Sequence, residues 1–534
     1  FWGALGAVLL ALNLRLLTDR FFGGLASSWA RRLLLLGPAL ALAFSRTYWA
    51  ESISTKGGIY ILESLLLMAL FLSLLRSESG PPARFDRGTA AAFFLAGLGL
   101  SHHWQTQLIF LPGLFLFVLV RGGGRLPPAK AWFQNLAWTA LGLSVLGLYL
   151  PLRANLQPVL DLGDPQTLFL FKMAVTRGYV QGEEPSLLAA LARALTGAGP
   201  WEPVRRIWDA MMENQLTGIV PHFWGDLKPT LLALAGFGVW AWARRGAKAA
   251  LVFLLCGLGC LLSVFYTGLL VPTVAGRWTL DNYLLPSNWI TALLGGLGLL
   301  ALWGPLGKAR AGAGALKAAW CLLAAALPLW PLLSNFPPND ESRQMLRYDY
   351  GVNLMKSTPR GAILFSEGDE DFFPLYYLQL VEHRRPDLCV IPPFTLFETW
   401  GVAELERFHP ELGLTAAGKD FPDHFRRIEY ALPEIVDKNR SKRVIAFTYL
   451  SGAFHRYYCQ PLGVKKAESS GILLWLDGPL NRRFKPLPRE GLRLRHWWDS
   501  PSNAHPSLRR VLWAYLQMGV RPPGAPLQPP SGRP

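Results

Sequence analysis

Long apolar runs separated by short polar segments make up the chain as far as Asn335. A helix needs about 20 apolar residues to cross a bilayer, and the pattern predicts about ten such helices. The predicted spans are Phe1–Leu17, Leu33–Phe44, Gly58–Leu75, Thr89–Ser101, Gln105–Val120, Ala131–Leu150, Pro229–Ala243, Ala249–Leu270, Asn288–Trp303 and Ala318–Leu333. The stretch from Thr89 to Val120 is either a tight hairpin broken at His102-His103 or one long kinked helix.

The pattern changes after Asn335 to that of a water-soluble domain. Two short apolar strands, "GAILFS" and "DLCVI", flank a helical segment, and this βαβ order predicts an α/β domain with a parallel strand pair. The predicted fold is therefore a polytopic α-helical membrane protein with a C-terminal α/β soluble domain. We expect a membrane domain over residues 1–334 that includes a long external loop at 152–228, a soluble domain at 335–521, and a disordered Pro-rich tail at 522–534.

Composition and charge give the membrane part an orientation. Of all residues 51% are hydrophobic and only 17% are charged, whereas soluble domains carry about 25% charged residues. The net charge of +17 does not indicate nucleic acid as a partner, because Lys and Arg gather in alternate short loops, as topology signals do. The basic loops are therefore expected to be cytoplasmic, with the long loop and the soluble domain outside, in a periplasm or lumen. Splitting Thr89–Val120 into two helices keeps the basic loops on one side.

Five strings in one order carry a family resemblance. They are "SRTYWAESISTKGGIYILESLLLMALFLSLL", "LAGLGLSHHWQTQLIFLPGLFLFVL", "LYLPLRANLQPVLDLGDPQTLFLFKMAVTRGY", "NDESRQMLRYDYGVNLM" and "AILFSEGDEDFFPLYYLQLVEHRRPDLCVI". Together they resemble a bacterial family of membrane proteins related to a vertebrate ER transmembrane protein O-mannosyltransferase, although the family usually has Trp where Leu162 stands. The resemblance covers Arg46 to about Trp400.

The resemblance implies a GT-C fold and a glycosyltransferase in the bacterial inner membrane. It implies that a sugar, with mannose the candidate, moves from a polyprenyl-phosphate carrier to an extracytoplasmic protein or glycan acceptor with inversion. No cofactor is implied, and no metal-binding motif stands out. The family's catalytic acid lies in a first external loop whose motif does not occur here. Because the chain begins inside an apolar helix without Met, we expect that loop to precede Phe1.

Cationic residues near the external ends of the spans are candidates for binding the carrier phosphate. They are Lys56, His102, His103, Arg153, Arg177 and Arg277. Arg277 lies beside Trp278 in a loop between helices, which suits a lipid phosphate. At the end of a span, Arg153 equally suits an arginine that snorkels to the interface, and a histidine pair in a turn is also common in purely structural roles.

Acidic candidates fall into two groups. Glu51, Asp164 and Asp281 are external residues that suit contacts with the sugar or the acceptor, although Asp164 before Pro165 also suits a turn. Glu367, Asp369 and Asp371 follow the first soluble-domain strand, where ligands of open α/β sheets bind. That cluster fits a cation or sugar hydroxyls, and it fits a helix N-terminus equally well.

Other functions remain open from the sequence alone. One is a glycosyltransferase that modifies lipid A or a cell-wall polymer, and another is a transporter or a non-catalytic assembly factor. A transporter usually carries polar residues within its spans and related halves. The predicted spans have few polar residues, with Arg15, Glu63 and Gln107 as exceptions, and the bulk of the chain lies on one face, which favours an enzyme.

Overall fold

The computed structural model describes residues 1–22, 28–54, 58–78, 86–159, 161, 163–176, 196, 205, 220–246, 248–266, 282–308, 314–415, 424–448, 462, 472–476, 480, 487–497, 508–517 and 520. The chain forms two compact units. The first consists of Phe1–Leu152 and Gly182–Asn339, and the second of Arg153–Gln181 and Asp340–Pro534. Part of the predicted external loop therefore groups with the soluble domain, and not with the membrane domain to which the sequence pattern assigned it.

Helices make up the described part of the chain up to Asn339. They are α1 (Trp2–Phe22), α2 (Ser28–Ala43), α3 (Arg46–Ile53), α4 (Gly58–Glu78), α5 (Arg87–Arg121), α6 (Ala129–Gly147), α7 (Tyr149–Ala154), α8 (Leu168–Thr176), α9 (Val220–Ala243), α10 (Lys248–Tyr266), α11 (Leu285–Lys308), α12 (Gly314–Ala326) and α13 (Leu329–Asn339).

Several of these helices are long and apolar enough to cross a membrane. Among the described residues five qualify: Gly58–Glu78, Arg87–Arg121, Ala129–Ala154, Leu285–Trp303 and Gly314–Asn339. A sixth arises if the bent pair Trp29–Ala43 and Arg46–Ile53 is one broken span, and Pro229–Ala243 and Lys248–Leu262 are shorter apolar helices. The membrane character predicted from the sequence has this support, while the number ten stays a prediction.

Helix α5 is folded back on itself at His103, whose backbone is non-helical (φ −142°, ψ 75°). At the far end, Arg121 Nη1 donates to Thr89 Oγ1 at 3.0 Å, and Arg121 Nη2 lies 2.8 Å from Asp86 Oδ2. In a straight helix, residues 32 positions apart would lie about 48 Å apart. The two halves of α5 are therefore antiparallel, which is the hairpin alternative of the sequence analysis.

Glycines allow helices of the first unit to approach closely. A Cβ at Gly238 in α9 would lie 1.9 Å from the carbonyl oxygen of Leu294 in α11, and one at Gly298 would lie 2.0 Å from that of Leu234. Such reciprocal small-residue contacts are typical of helices that pack in a membrane, where van der Waals contact replaces the hydrophobic effect.

The second unit contains a small sheet with the order β2-β1-β3-β4. Strand β1 (Ile363–Phe365) pairs in parallel with β2 (Cys389–Ile391) and with β3 (Ile445–Phe447). Strand β4 (Leu474–Trp475) is antiparallel to β3. The predicted βαβ unit is confirmed, because helix α15 connects β1 to β2. The helices of this unit, besides α8, are α14 (Leu346–Ser357), α15 (Asp369–Tyr376), α16 (Thr399–Phe408), α17 (His424–Asn439) and α18 (Arg509–Gln517).

Alternate strand residues enter two apolar layers of the second unit, as the period of a β-strand requires. Ile363 and Phe365 pack on one side with residues of α16 and α17. Leu364 packs on the other side with Leu354 of α14 and Tyr515 of α18. The sheet is covered on both faces, so its functional groups are expected at strand ends and on the surrounding helices.

Candidate functional site

The loop after α7 turns sharply at two aspartates. The Asp164 N–H donates to the Asp161 carbonyl at 3.1 Å, and the Gln166 N–H donates to the Asp164 carbonyl at 2.7 Å. Gly163 and Asp164 both have positive φ, 90° and 39°, a conformation that Gly adopts freely and that Asp tolerates better than most residues. The turn holds the carboxyl groups of Asp161 and Asp164 within interaction distance of each other.

Helix α16 brings a third carboxyl group to this turn. The Asp161 N–H donates to Glu404 Oε1 at 3.4 Å, across 243 residues of sequence. Asp161 is 8% exposed, and Glu404 is half-buried. We call Asp161, Asp164 and Glu404 the carboxylate cluster; all three residues belong to the second unit.

Two carboxyl groups of the cluster, those of Glu404 and Asp161, have a raised pKa and so retain protons more strongly than isolated carboxyl groups do. Burial raises the pKa of Glu404 to about 7, and the nearby charges of Asp161 and Asp164 act in the same direction, against the Asp161 N–H and Arg407. Burial also raises the pKa of Asp161, reinforced by its neighbour Asp164. Near neutral pH the cluster can therefore both donate and accept hydrogen bonds.

Two arginines lie close enough to the cluster to act on it electrostatically. Arg407 of α16 and Arg153 at the end of α7 both lower the pKa of Asp161. Both side chains are exposed, and neither forms an ion pair with a carboxylate in the described part of the chain. The sequence identified Arg153 and Asp164 as candidates; in the structure Asp164 lies beside Asp161, and Arg153 is near enough to lower the pKa of Asp161.

A metal centre finds no support in the part of the chain that the structure covers. Its His, Cys, Asp and Glu side chains form no group of three that could hold a metal ion.

The histidine pair sits at the turn of the α5 hairpin in the first unit. His102 Nε2 lies 2.9 Å from the Ile59 carbonyl, and His103 Nδ1 lies 2.9 Å from Thr106 Oγ1. The buried His103 ring packs against Tyr60 and Tyr283, with ring centroids 5.5 Å apart in each case. These contacts hold the hairpin turn against α4, and they support a structural role for both histidines.

A break between α2 and α3 is held by polar side chains that the sequence analysis did not select. The Thr47 N–H donates to Asp226 Oδ1 at 2.9 Å, and Asn288 Nδ2 donates to Asp226 Oδ2 at 3.0 Å. Asn335 Nδ2 donates to the Phe44 carbonyl at 2.8 Å. A break inside an apolar bundle requires such partners for its backbone groups. The signal in the sequence that could have identified these residues is a carboxylate or amide at the end of an apolar run.

Glu51 lies on α3, the helix that follows this break. It lies in a segment that the sequence suggested to be an external loop and that the structure shows to be helical. Its side chain is half-buried, and the structure does not assign it a substrate.

The acidic residues that follow β1, Glu367, Asp369 and Asp371, make contacts that mainly stabilise the fold. Asp371 is fully buried, and the Thr448 hydroxyl donates to its Oδ2. The Glu367 N–H donates to Thr448 Oγ1 at 3.3 Å. These bonds tie the ends of β1 and β3 to the first turn of α15, where acidic residues suit the helix dipole. Asp369 is exposed in the same turn.

Four further candidates lie outside the described residues. They are Lys56, Arg177, Arg277 and Asp281.

Comparisons with known proteins agree with the resemblance read from the sequence. A family model described as the N-terminal domain of protein O-mannosyl-transferase TMEM260 matches residues 1–125, and one described as TMEM260-associated domain 2 matches residues 347–411. Over 441 residues, 81% of this chain, the sequence is 25% identical to protein O-mannosyl-transferase TMEM260 of Mus musculus. The chain spans 57% of the length of that mouse protein. The second matched region contains Glu404 and Arg407.

Proposed function

We propose that this chain, which is related to the vertebrate protein O-mannosyl-transferase TMEM260, is a membrane glycosyltransferase of the GT-C type. It would transfer a sugar, with mannose the candidate, from a polyprenyl-phosphate carrier to hydroxyl groups of extracytoplasmic proteins. The observation that carries the proposal is the similarity over 81% of the chain. The apolar helices support it, because the lipid carrier and a spanning enzyme share the bilayer.

The proposed reaction is a single inverting displacement. The acceptor oxygen forms a bond to the anomeric carbon, the bond from that carbon to the phosphate oxygen breaks, and its electrons leave with the polyprenyl phosphate. The reaction needs a base for the hydroxyl proton and cations for the leaving phosphate. We propose Arg153, His102, His103, Lys56, Arg177 and Arg277 as phosphate-binding candidates, and Glu51, Asp164 and Asp281 as contacts for the sugar or acceptor.

We place the reaction on the extracytoplasmic face of a bacterial inner membrane, with about ten spans delivering the carrier to it. The charge distribution of the loops supports this orientation.

Replacement of Arg153 tests the proposal at one residue. The purified chain in nanodiscs would be given polyprenyl-phosphate mannose and a Ser/Thr-rich peptide, and transfer would be followed by mass spectrometry. Arg153→Ala is expected to reduce the rate of transfer at least about tenfold, because a charge-assisted phosphate contact is lost.

Arg440→Ala is the matched control, since Arg440 is exposed on the same unit and, among the described residues, its side chain pairs weakly with Asp437. Equal rates for the two folded variants would remove Arg153 from the proposed site. Transfer to lipid A or a glycan in place of the peptide would keep the reaction and change the acceptor.

A further inference from the structure

We propose that one helical face of the second unit docks on the surface of the lipid bilayer. The face consists of Phe373, Tyr377, Leu380 and Val381, and we call it the apolar stripe. The proposal concerns the second unit and the bilayer, so it goes beyond the transfer of a sugar and does not depend on it.

The side chains of the stripe are exposed although the opposite face of the same helix is buried. Phe373 lies on α15, which a five-residue π-helical turn, Tyr377–Val381, continues. The four side chains of the stripe are between 43% and 61% exposed. Leu375 and Leu378 are instead buried among residues of α14 and β1. Positions i, i+4, i+7 and i+8 of a helix share one face, so the stripe is continuous.

Most of the large apolar side chains exposed after Asn339 belong to the stripe. Six are exposed in the described part of that region; four form the stripe, and the other two are Phe408 and Tyr430. Single exposed apolar side chains are ordinary, whereas a contiguous group of them marks an interaction site. The stripe therefore calls for a partner with an apolar surface.

Arginines adjoin the stripe beside Tyr377. The Tyr377 ring packs against the Tyr348 ring, with centroids 6.5 Å apart. The guanidinium groups of Arg493 and Arg495 lie 5.4 and 5.8 Å from the centre of the Tyr348 ring. Both arginines pair with the buried Asp349, so two positive charges face one negative charge. Aromatic and apolar side chains next to arginines are typical of surfaces that bind at the head-group level of a bilayer.

The nearby acids do not cancel this pattern. Glu382 is paired with Arg384 at 2.8 Å, and it accepts a hydrogen bond from the Tyr348 hydroxyl at 3.0 Å. Asp369 is exposed one helical turn before Phe373, at the end of the stripe away from Arg384. We therefore expect the arginine side of the stripe to lie nearest to the lipid phosphates.

The connection along the chain favours the bilayer over another protein as the occupant of the stripe. The candidate span Gly314–Asn339 ends six residues before α14 begins at Leu346, and six residues reach at most about 21 Å. Tyr348, which packs against Tyr377, lies in the first turn of α14. The stripe thus adjoins the end of the second unit that follows directly on an apolar span.

Electron paramagnetic resonance of the full chain in phospholipid nanodiscs tests the inference. A nitroxide is attached at Phe373→Cys or at Val381→Cys, with the five native cysteines replaced. Its collisions with oxygen, which concentrates in lipid, are compared with its collisions with a nickel chelate, which stays in water. We expect oxygen collisions to dominate at both positions, at a depth of about 5–10 Å into the boundary between head groups and acyl chains.

Tyr430→Cys is the matched control. Tyr430 is an exposed aromatic residue of α17, and α17 packs on the opposite face of the sheet from α14. Labels at Tyr430→Cys and at the neighbouring exposed position, Glu429→Cys, should collide mainly with the nickel chelate. Adding Leu380→Asp should move the label at Val381→Cys towards water, because a charge in the stripe opposes its insertion.

Thermal melting shows whether each labelled chain is folded. If the nickel chelate reaches the stripe labels of folded chains as readily as the label at Tyr430→Cys, the stripe faces water and the inference is overturned. Low collision rates with both reagents would overturn it as well, because they place the stripe against protein, such as a second copy of the chain. Labels immersed in lipid on a chain that transfers no sugar would contradict the proposed function alone.

Discussion

The protonation state of a single residue, Glu404, affects the stability of the second unit. The carboxyl group of Glu404 has lost part of its hydration and faces Asp161 and Asp164, so the folded protein binds its proton more tightly than the unfolded chain does. Stability linked to such a group is greatest at low pH and falls as the pH rises from about 4.5 to about 7. Above the folded pKa the loss is complete and constant.

We therefore expect the melting temperature of the second unit to fall between pH 4.5 and pH 7. Glu404→Gln should flatten this dependence, because glutamine has no proton to lose in that interval. Thermal unfolding followed by intrinsic fluorescence at several pH values measures it. The same slope in Glu404→Gln and in Glu429→Gln would show that another group is responsible.

Asp226 is one of the residues that hold the break between α2 and α3. Its two carboxylate oxygens accept the Thr47 N–H and the Asn288 amide, and Asp226 is nearly fully buried. Asp226→Ala leaves those two donors without this partner, at a cost of about 2–4 kcal/mol. The melting temperature in detergent should fall clearly.

Asp19→Ala is the comparison for that variant, because Asp19 is a half-exposed acid paired with Arg15 and Arg31. Surface pairs contribute less than about 1 kcal/mol, so its melting temperature should change little. Similar shifts in the two variants would mean that Asp226 does not hold the break.

Only part of the carboxylate cluster could be foreseen from the sequence. Asp164 and Arg153 stand out locally, one in a Gly-Asp-Pro turn and the other at the end of an apolar run. Glu404 lies in an amphipathic helix, "TWGVAELERF", whose pattern specifies burial of Trp400 and Val402 but no partner for the acid. The contact joins residues 243 positions apart, and one sequence contains no signal for such a pairing.

The α5 hairpin is the element that loop charges predicted best. A single span through Thr89–Val120 would have put basic clusters on opposite sides of the bilayer, whereas two spans keep Arg87 and Arg121 on the same side. In the structure, Trp132 of α6 touches both Phe93 and Phe115, with ring centroids at 6.4 and 6.1 Å. A straight helix would separate those phenylalanines by about 33 Å.

Cross-linking checks the hairpin directly. Cysteines introduced as Thr89→Cys and Arg121→Cys, with the five native cysteines replaced, should be joined by a short bifunctional reagent. Cysteines at Thr89 and Gln105 should not be joined, because Thr89 lies at the open end of the hairpin and Gln105 lies just past its turn at His103. A straight helix would give no product in either case.

The break between α2 and α3 shows what sequence periodicity omits. The segment from Arg46 to Gly57 has no strong apolar pattern, and the sequence suggested a loop. It is helical in the structure as far as Ile53, because α9 and α13 supply Asp226, Asn335 and Asn339 to the interrupted backbone. Those partners are distant in sequence, so the element could not be predicted from its own residues.

At the scale of the whole molecule, the second unit combines two distant parts of the chain. Residues 153–181 group with the residues after Asn339, although apolar runs separate the two parts in sequence. Hydropathy predicts a change from membrane to soluble character at about Asn335. It could not show that a segment from the long loop belongs to the soluble unit, because that grouping depends on tertiary contacts such as the one between Asp161 and Glu404.

The proposed glycosyl transfer is the central claim, and it requires the whole chain together with the polyprenyl-phosphate carrier. The most direct measurement combines the purified chain in nanodiscs, polyprenyl-phosphate mannose and a Ser/Thr-rich peptide, with mass spectrometry of the peptide and of the released lipid phosphate. We predict one hexose added to the peptide for each polyprenyl phosphate released, and only when chain and carrier are both present. A folded chain that releases no polyprenyl phosphate with peptide, lipid A or cell-wall glycan as acceptor would contradict the account.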